Sequence, residues 1–226
     1  MTERHFHQEL GELKNNLLKM AGLVERAIAI SIAALMERDS SKANEVIAGD
    51  NAINDLENTI DEQCVRLLAL QQPMAIDLRL ITAALKIVKD LERMGDQAVN
   101  IAERVCSLNE EPQLKPYIDL PHMARIAQQM VKDSLDSFVT GNAELAREIC
   151  TRDDLVDALN NQIFRELLTY MMSDPTTITR AVHLIIIGRC LERIADHATN
   201  VAESVVYMVQ ARNIKHQAEK KIIDQR

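Results

Sequence analysis

The chain has 226 residues, of which 47% are hydrophobic but only 3% aromatic, with six Gly and five Pro, a composition typical of helices packed through aliphatic side chains. Its net charge of −8, with no concentrated basic segment, argues against nucleic acid as a ligand. No stretch alternates polar and apolar residues as an amphipathic strand would, so the sequence predicts an all-α protein.

Apolar residues three and four positions apart predict three long helices in the first half, at about residues 6–37, 42–70 and 75–108. The first break follows Arg38, and either Asp39 or Ser40 can cap the second helix. The second break falls at Gln72, because the residue before a proline disfavours helix. Helices of about 30 residues would each be roughly 45 Å long and would pack as an elongated bundle.

A proline-rich break separates the two halves. Residues 109–121 contain three of the five prolines and cannot be helical throughout, so a linker is expected at 109–119. Asp119 can cap a fourth helix, which has Pro121 in its first turn. The pair Gly141-Asn142 then breaks the chain again.

The second half repeats the organisation of the first. A fifth helix, at about residues 143–172, aligns with the second helix at an offset of 103, and a sixth runs from about Thr177 past Val209. The charged tail, 215–226, is expected to be a frayed helix end. The sequence therefore predicts a tandem duplication of a three-helix bundle, six long helices in all, with domains at residues 1–108 and 120–226.

A segment at the end of the third helix recurs in the sixth helix at an offset of 100, at residues 91–103 and 191–203. A match of this length is an internal repeat. On a helix that turns about 100° per residue, four polar residues of each copy fall within about 80° of one another. The two acidic rows consist of Glu92, Asp96, Asn100 and Glu103 in the first half and Glu192, Asp196, Asn200 and Glu203 in the second.

Each acidic row continues an apolar stripe, where charge is costly unless a cation or a partner neutralises it. Carboxylates one turn apart predict metal binding, and an all-oxygen ligand set favours Mg²⁺, Mn²⁺, Ca²⁺ or Fe³⁺ over a structural zinc. The alternative is a solvated face with weak local ion pairs to Lys89, Arg93 or Arg104. The sequence leaves open whether the packed halves bring the two rows together or keep them as separate patches.

Other features of the sequence predict packing rather than chemistry. Gly95 and Gly188 are expected either where helices approach closely or as tolerated glycines within a helix. The four widely separated cysteines are expected to be buried, reduced thiols. The six histidines are scattered, and no Ser/His/Asp or Cys/His arrangement supports hydrolysis. No glycine-rich loop precedes a helix, so tight binding of phosphate by the protein itself is not predicted.

The amino-terminal residues carry charged and amide side chains throughout and lack the apolar core of a signal peptide. No apolar run reaches the length of a membrane-spanning helix. We therefore expect a soluble, cytoplasmic protein.

The repeated segment resembles the PhoU family of phosphate-signalling regulators, whose members consist of two similar three-helix bundles. The family signature is Glu/Asp-x-x-x-Asp on the third helix of each half, which stands here as Glu92 with Asp96 and Glu192 with Asp196. The Gln72-Pro73 junction followed by Asp77-Leu78-Arg79 also resembles the first repeat of the family. The second half departs from this pattern, with Thr177-Ile178-Thr179-Arg180 at the corresponding place.

The resemblance implies a cytoplasmic negative regulator of phosphate uptake and phosphate-starvation signalling rather than an enzyme. It implies an adaptor between the ATPase subunit of a phosphate ABC transporter and the PAS region of a sensor histidine kinase. It also implies a homodimer that meets the membrane only through its partners. The acidic motifs would bind a divalent or ferric ion, either Fe, Mn, Mg or Zn.

Two other classes of function remain open on the residues alone. A metal-dependent oxidase or hydrolase built on a helical bundle would lose turnover when Glu92 or Asp196 is changed to alanine. A purely structural interaction protein would show neither metal binding nor a response to phosphate.

Overall fold

The computed structural model describes residues 2–214, with side chains from residue 5 onward. Helices joined by short segments make up this part of the chain. Within this range there is no strand, which confirms the all-α prediction and the six long helices. The tail at 215–226 lies outside the described residues. The helices are Thr2–Glu37 (α1), Ser40–Gln71 (α2), Ala75–Asn109 (α3), Asp119–Thr140 (α4), Ala143–Ser173 (α5) and Ile178–Gln210 (α6), with a 3₁₀ turn at Pro175–Thr177.

Asp39 caps α2, as one of the two predicted candidates. Its carboxylate accepts hydrogen bonds from the backbone N–H of Ser41 at 2.9 Å and of Lys42 at 3.3 Å. Asn142 caps α5 in the same way. The expectation for α4 was wrong, since the capping position is Ile118 and Asp119 lies in the first turn. A carboxylate there still favours the helix, because it faces the positive end of the helix dipole.

Changing Asp39 to alanine should lower the free energy of unfolding by about 1 kcal/mol, because two amide groups at the start of α2 lose their acceptor. Urea denaturation followed by circular dichroism measures the change. The matched control is Ser41→Ala at an exposed position in the first turn of the same helix, which should stay within about 0.5 kcal/mol of the unsubstituted protein. Equal losses in both variants would mean that the cap contributes nothing specific.

The two bundles, α1–α3 and α4–α6, meet mainly through their third helices. Contacts show that α3 and α6 run antiparallel. The Arg79 guanidinium, near the start of α3, donates to the Met208 carbonyl near the end of α6. At the other end of this seam, Arg180 donates to the carbonyl of Pro112, just after α3. The antiparallel seam therefore places the α2–α3 turn and the α5–α6 turn at opposite ends of the molecule.

The outer helices flank this central seam. In the described part of the chain α2 packs on α3 and α5 on α6, while α2 and α5 do not touch each other. Contact between α1 and α4 closes one side of the junction. The surfaces between the second and third helices, where both acidic motifs lie, therefore face away from the α1–α4 contact.

No helix within residues 2–214 is both long enough and apolar enough to cross a bilayer.

The segment between the bundles is held to both of them. The buried Lys115 side chain forms an ion pair with Glu166 on α5. Arg38 donates to the carbonyls of Leu108 and Asn109 at 3.2 Å and to that of Glu111. The segment between α3 and α4 is thus a fixed connection between the two bundles.

The predicted burial of the cysteines is confirmed for two of them. Cys64 and Cys190 are buried free thiols, whereas Cys106 and Cys150 are only half-buried. Burial is also the main reason that the pKa of Cys64 is raised to about 12. A thiol with so high a pKa is unreactive at neutral pH.

Candidate metal-binding grooves

Carboxylates from two helices line the groove between α2 and α3. Glu92 and Asp96, from the repeated motif, face acidic residues of α2. Arg93 lies between them on α3, with its guanidinium 3.4 Å from Glu92 and 3.5 Å from Asp96. We call this the first acidic groove, and it consists of Asp50, Glu57, Asp61, Glu92 and Asp96.

Gly95 sets how closely the walls of the first groove approach. A Cβ at this position would lie 3.1 Å from Ile53 Cδ1 and 3.7 Å from Asp50 Oδ1. A side chain at this position would force Ile53 to shift. At Gly188, in the second half, a Cβ would lie 2.9 Å from Asn160 Oδ1, so Asn160 would have to move. Both glycines therefore occupy close helix contacts, one of the two places predicted from the sequence.

A second groove with the same construction lies between α5 and α6. Here Glu192 and Asp196 face two aspartates of α5, and Asn160 donates a hydrogen bond to Glu192 at 3.1 Å. We call this the second acidic groove, and it consists of Asp153, Asp157, Glu192 and Asp196. Each groove combines helices of a single bundle, so the acidic motifs form two separate patches.

The electrostatics of both grooves show carboxylates crowded together. Burial raises the pKa of Glu92, and the neighbouring Asp96 raises it further. Burial and then Asp50 raise the pKa of Asp96. The largest effect is in the second groove, where burial, followed by Asp196, raises the pKa of Asp153 to about 6. Crowded, partly desolvated carboxylates are stabilised by a proton or by a bound cation.

The donor set of the grooves fits a hard cation. Three carboxylate oxygens of the grooves are buried without a hydrogen-bond partner: Asp50 Oδ1 and Asp61 Oδ1 in the first groove and Asp153 Oδ1 in the second. A buried carboxylate oxygen without a donor is costly, and a cation would satisfy it. Among the described side chains, however, no three or more His, Cys, Asp or Glu residues are already assembled as a metal site. Coordination would therefore need the carboxylates to rotate toward a common centre.

The last two residues of each predicted acidic row have neighbours outside the grooves. Asn200 donates a hydrogen bond to Asp90 Oδ1 across the seam at 3.3 Å, and Asp90 also lies 2.9 Å from His197 Nδ1. Glu203 lines an open cavity of about 600 Å³ at one end of the α3–α6 seam. Glu103 pairs with its neighbour Arg104. The grooves thus bring together the first two residues of each row, while a ligand role for Asn100, Glu103, Asn200 and Glu203 stays a prediction.

Sequence reasoning missed the acidic residues of α2 and α5. Asp50 and Asp153 occupy equivalent positions, as do Asn54 and Asp157, at the offset of 103 that aligns these helices. Extending that alignment from the apolar positions to the polar ones would have found the opposite wall of each groove.

The fold and the two grooves define a class of protein: a duplicated three-helix bundle with one acidic groove per half. A family model for the PhoU domain matches residues 17–105 and again 120–205. The chain belongs to the PhoU family.

Relatives along the whole chain agree with this assignment. A phosphate-specific transport system accessory protein PhoU homolog from Aquifex aeolicus is 48% identical over 210 residues, covering 93% of this chain and 95% of the relative. The homolog from Pseudomonas aeruginosa is 42% identical over 214 residues, covering 94% and 88% of the two chains. Both are named as accessory proteins of transport systems, so the family is one of accessory proteins rather than enzymes.

Solved structures show the same fold. The crystal structure of PhoU from Pseudomonas aeruginosa superposes with a TM-score of 0.89 at 43% identity, covering 92% of this chain and all of that one. The phosphate transport system regulatory protein PhoU from Streptococcus pneumoniae gives a TM-score of 0.87 at 30% identity, covering 93% and 99%. The duplicated bundle is therefore the fold of the family.

Proposed function

We propose that this protein is a cytoplasmic negative regulator of phosphate uptake and phosphate-starvation signalling. The observation that carries the proposal is that both halves match the PhoU domain and that relatives named as accessory proteins of phosphate transport align over nearly the whole chain. The regulator acts as an adaptor between the ATPase subunit of a phosphate ABC transporter and the PAS region of a sensor histidine kinase, and it works as a homodimer.

Exposed apolar side chains at both ends of the molecule support an adaptor. At the α2–α3 end, Leu70 is 71% exposed and Met74 is 81% exposed. At the α5–α6 end, Met172 is 79% exposed and Ile178 is 45% exposed. Exposed clusters of large apolar residues are typical of protein contacts. Two such ends, separated by the antiparallel seam, suit a protein with two different partners.

The acidic grooves supply the metal-dependent part of the proposal. Glu92, Asp96, Glu192 and Asp196, with the aspartates facing them, would hold hard cations between the second and third helix of each bundle. A bound cation neutralises the crowded carboxylates, and the carboxylates then tie the two helices together. Stiffer grooves would present a defined surface to a partner on the membrane side.

Copurification tests the adaptor directly. The untagged protein is expressed with a tagged transporter ATPase subunit, in cells grown with high or with low phosphate, and the recovered complex is quantified. We expect a complex that depends on phosphate supply. The variants Met74→Asp and Met172→Asp should weaken binding through one end or the other. Leu18→Asp is the matched control, because Leu18 is 42% exposed in the middle of α1.

Absence of any complex with either the ATPase subunit or the kinase, under both phosphate conditions, would contradict the adaptor role. Equal binding by all three aspartate variants would contradict the use of the helix ends while leaving the adaptor role in place.

A further inference from the structure

The chain's own cations are distributed unequally between the two acidic grooves. In the first groove, Lys89 Nζ lies 2.6 Å from Glu57 Oε1 and 2.9 Å from Asp61 Oδ2. Arg93 lies within 3.5 Å of Asp96 and closer to Glu92. Two basic side chains thus offset the five carboxylates of this groove.

The second groove has lost the residues that hold such a lysine. At the offset of 103 that aligns α5 with α2, Asn160 replaces Glu57 and Phe164 replaces Asp61. At the offset of 100 that aligns α6 with α3, Arg189 stands where the first half has Lys89. Arg189 is exposed. Among the side chains the structure describes, no lysine or arginine lies within 4.0 Å of a carboxylate of the second groove.

Two further observations agree with this difference. The Lys89 side chain, 57% exposed, reaches back to the groove instead of extending into water, and its ammonium group donates a hydrogen bond to Glu57 Oε1. In the second groove Asp153 Oδ1 is buried without a hydrogen-bond partner, and the neighbouring Arg152 pairs with Asp133 and Glu148 instead. The second groove therefore lacks a paired cation, since Arg189 and Arg193 act on Glu192 only from beyond ion-pair distance.

We propose that the two grooves bind a hard divalent cation with unequal affinity: the second fills first, and Lys89 acts in the first as a tethered cation that the metal must displace. The inference rests on the proposed metal binding by the grooves. It assigns Lys89 as the residue that makes the metal affinity of the first groove lower than that of the second. A cation and an ammonium group compete for the same carboxylate oxygens, and each weakens the binding of the other through charge repulsion.

The consequence is a response to metal in two steps. At low free metal only the α5–α6 groove is filled, so only the second bundle is stiffened. At higher metal the Lys89 ammonium leaves Glu57 and Asp61, and the first bundle follows. The duplication therefore supplies two sensors with different thresholds rather than two copies of one.

Titration of the chelator-treated, full-length protein with Mn²⁺ tests the proposal. Electron paramagnetic resonance of the free ion gives the bound fraction at each step. The unsubstituted protein should show a tight and a weak class of site. Lys89→Met should tighten the weak class on the order of tenfold, which corresponds to about 1.4 kcal/mol, and leave the tight class unchanged. Arg189→Met is the matched control and should change neither class by more than about twofold.

The assignment of the tight class to the second groove is tested separately. Asp153→Asn should remove the tight class, and Asp50→Asn, its counterpart in the first half, should affect only the weak one. Lys89→Gln repeats the main test with a polar side chain of similar length. Circular dichroism and thermal unfolding show that each variant is folded.

The outcomes separate the inference from the proposed function. If the unsubstituted protein binds no Mn²⁺, the metal-dependent part of the proposed function fails. If it binds Mn²⁺ with two equal classes, or if the weak class is unchanged in both Lys89 variants, the inference fails while metal binding stands. Loss of the tight class in Asp50→Asn instead of Asp153→Asn would reverse the order of filling and overturn the inference.

Discussion

Changing Glu92, Asp96, Glu192 and Asp196 together to alanine is expected to reduce the metal content of the purified protein from near-stoichiometric to background. These four residues supply one wall of each acidic groove, and the aspartates left on α2 and α5 cannot hold a hard cation alone. Elemental analysis of untagged protein, purified without chelator, measures the change. The variant should keep its helical circular dichroism, because the substituted side chains line grooves at the surface and lie outside the apolar core.

A second variant gives the matched control. Changing Asn100, Glu103, Asn200 and Glu203 to alanine removes the same number of polar side chains from the same helices. Because Asn200 is bonded to Asp90 and Glu103 to Arg104, we expect a smaller loss of metal from this variant. If the unsubstituted protein contains no metal even after incubation with Mn²⁺ and Fe²⁺, or if the first variant is folded and keeps its metal, the grooves are not coordination sites.

Metal-free protein carrying Asp153→Asn should be more stable at neutral pH than the unsubstituted protein, by roughly 1–3 kcal/mol after allowance for partial exposure. The pKa of Asp153 rises from 3.8 to about 6, with burial as the first cause and Asp196 as the second. The folded state therefore binds this proton more tightly than the unfolded state does. The resulting stability is fully present below the unfolded pKa and is lost as the pH rises through about 6.

Asparagine has nearly the shape of aspartate but carries no charge, so it removes this pH dependence. Urea denaturation in the presence of chelator should show a small difference between the two proteins at pH near 4 and the full difference above pH about 7. Asp154→Asn, at the exposed neighbouring position, should not change stability by more than about 0.5 kcal/mol. A stability of the Asp153 variant equal to or below that of the unsubstituted protein at neutral pH would contradict the prediction.

Much of the fold could be predicted because local signals in the sequence agree with one another. The apolar spacing defined each helix. Two helix ends were marked by Gln72, which precedes Pro73, and by Gly141, and in the structure both residues have a left-handed backbone conformation. The capping of α4 was the exception. Asp119 is a good capping residue, but capping depends on the backbone conformation of the preceding chain, which the sequence does not reveal, and Ile118 takes that position.

The acidic grooves were predicted only in part, because half of each comes from another helix. The repeat identified Glu92, Asp96 and their counterparts from spacing along one helix. Asp50 and Asp153 lie on other helices, and spacing along one helix could not show that α2 packs on α3 and α5 on α6 at the close approach seen at Gly95 and Gly188. The helical wheel also placed Asn200 on the same face as Asp196. It could not show that the antiparallel seam brings Asp90 within reach of Asn200.

The antiparallel seam between α3 and α6 also fixes a length. A helix of 33 residues, the length of α6, spans about 50 Å. The exposed apolar residues at the two ends therefore lie about that far apart. Partners attached at opposite ends would use separate surfaces, so a partner at one end would leave the binding surface at the other end uncovered. The protein would then act as a spacer that sets the distance between its partners.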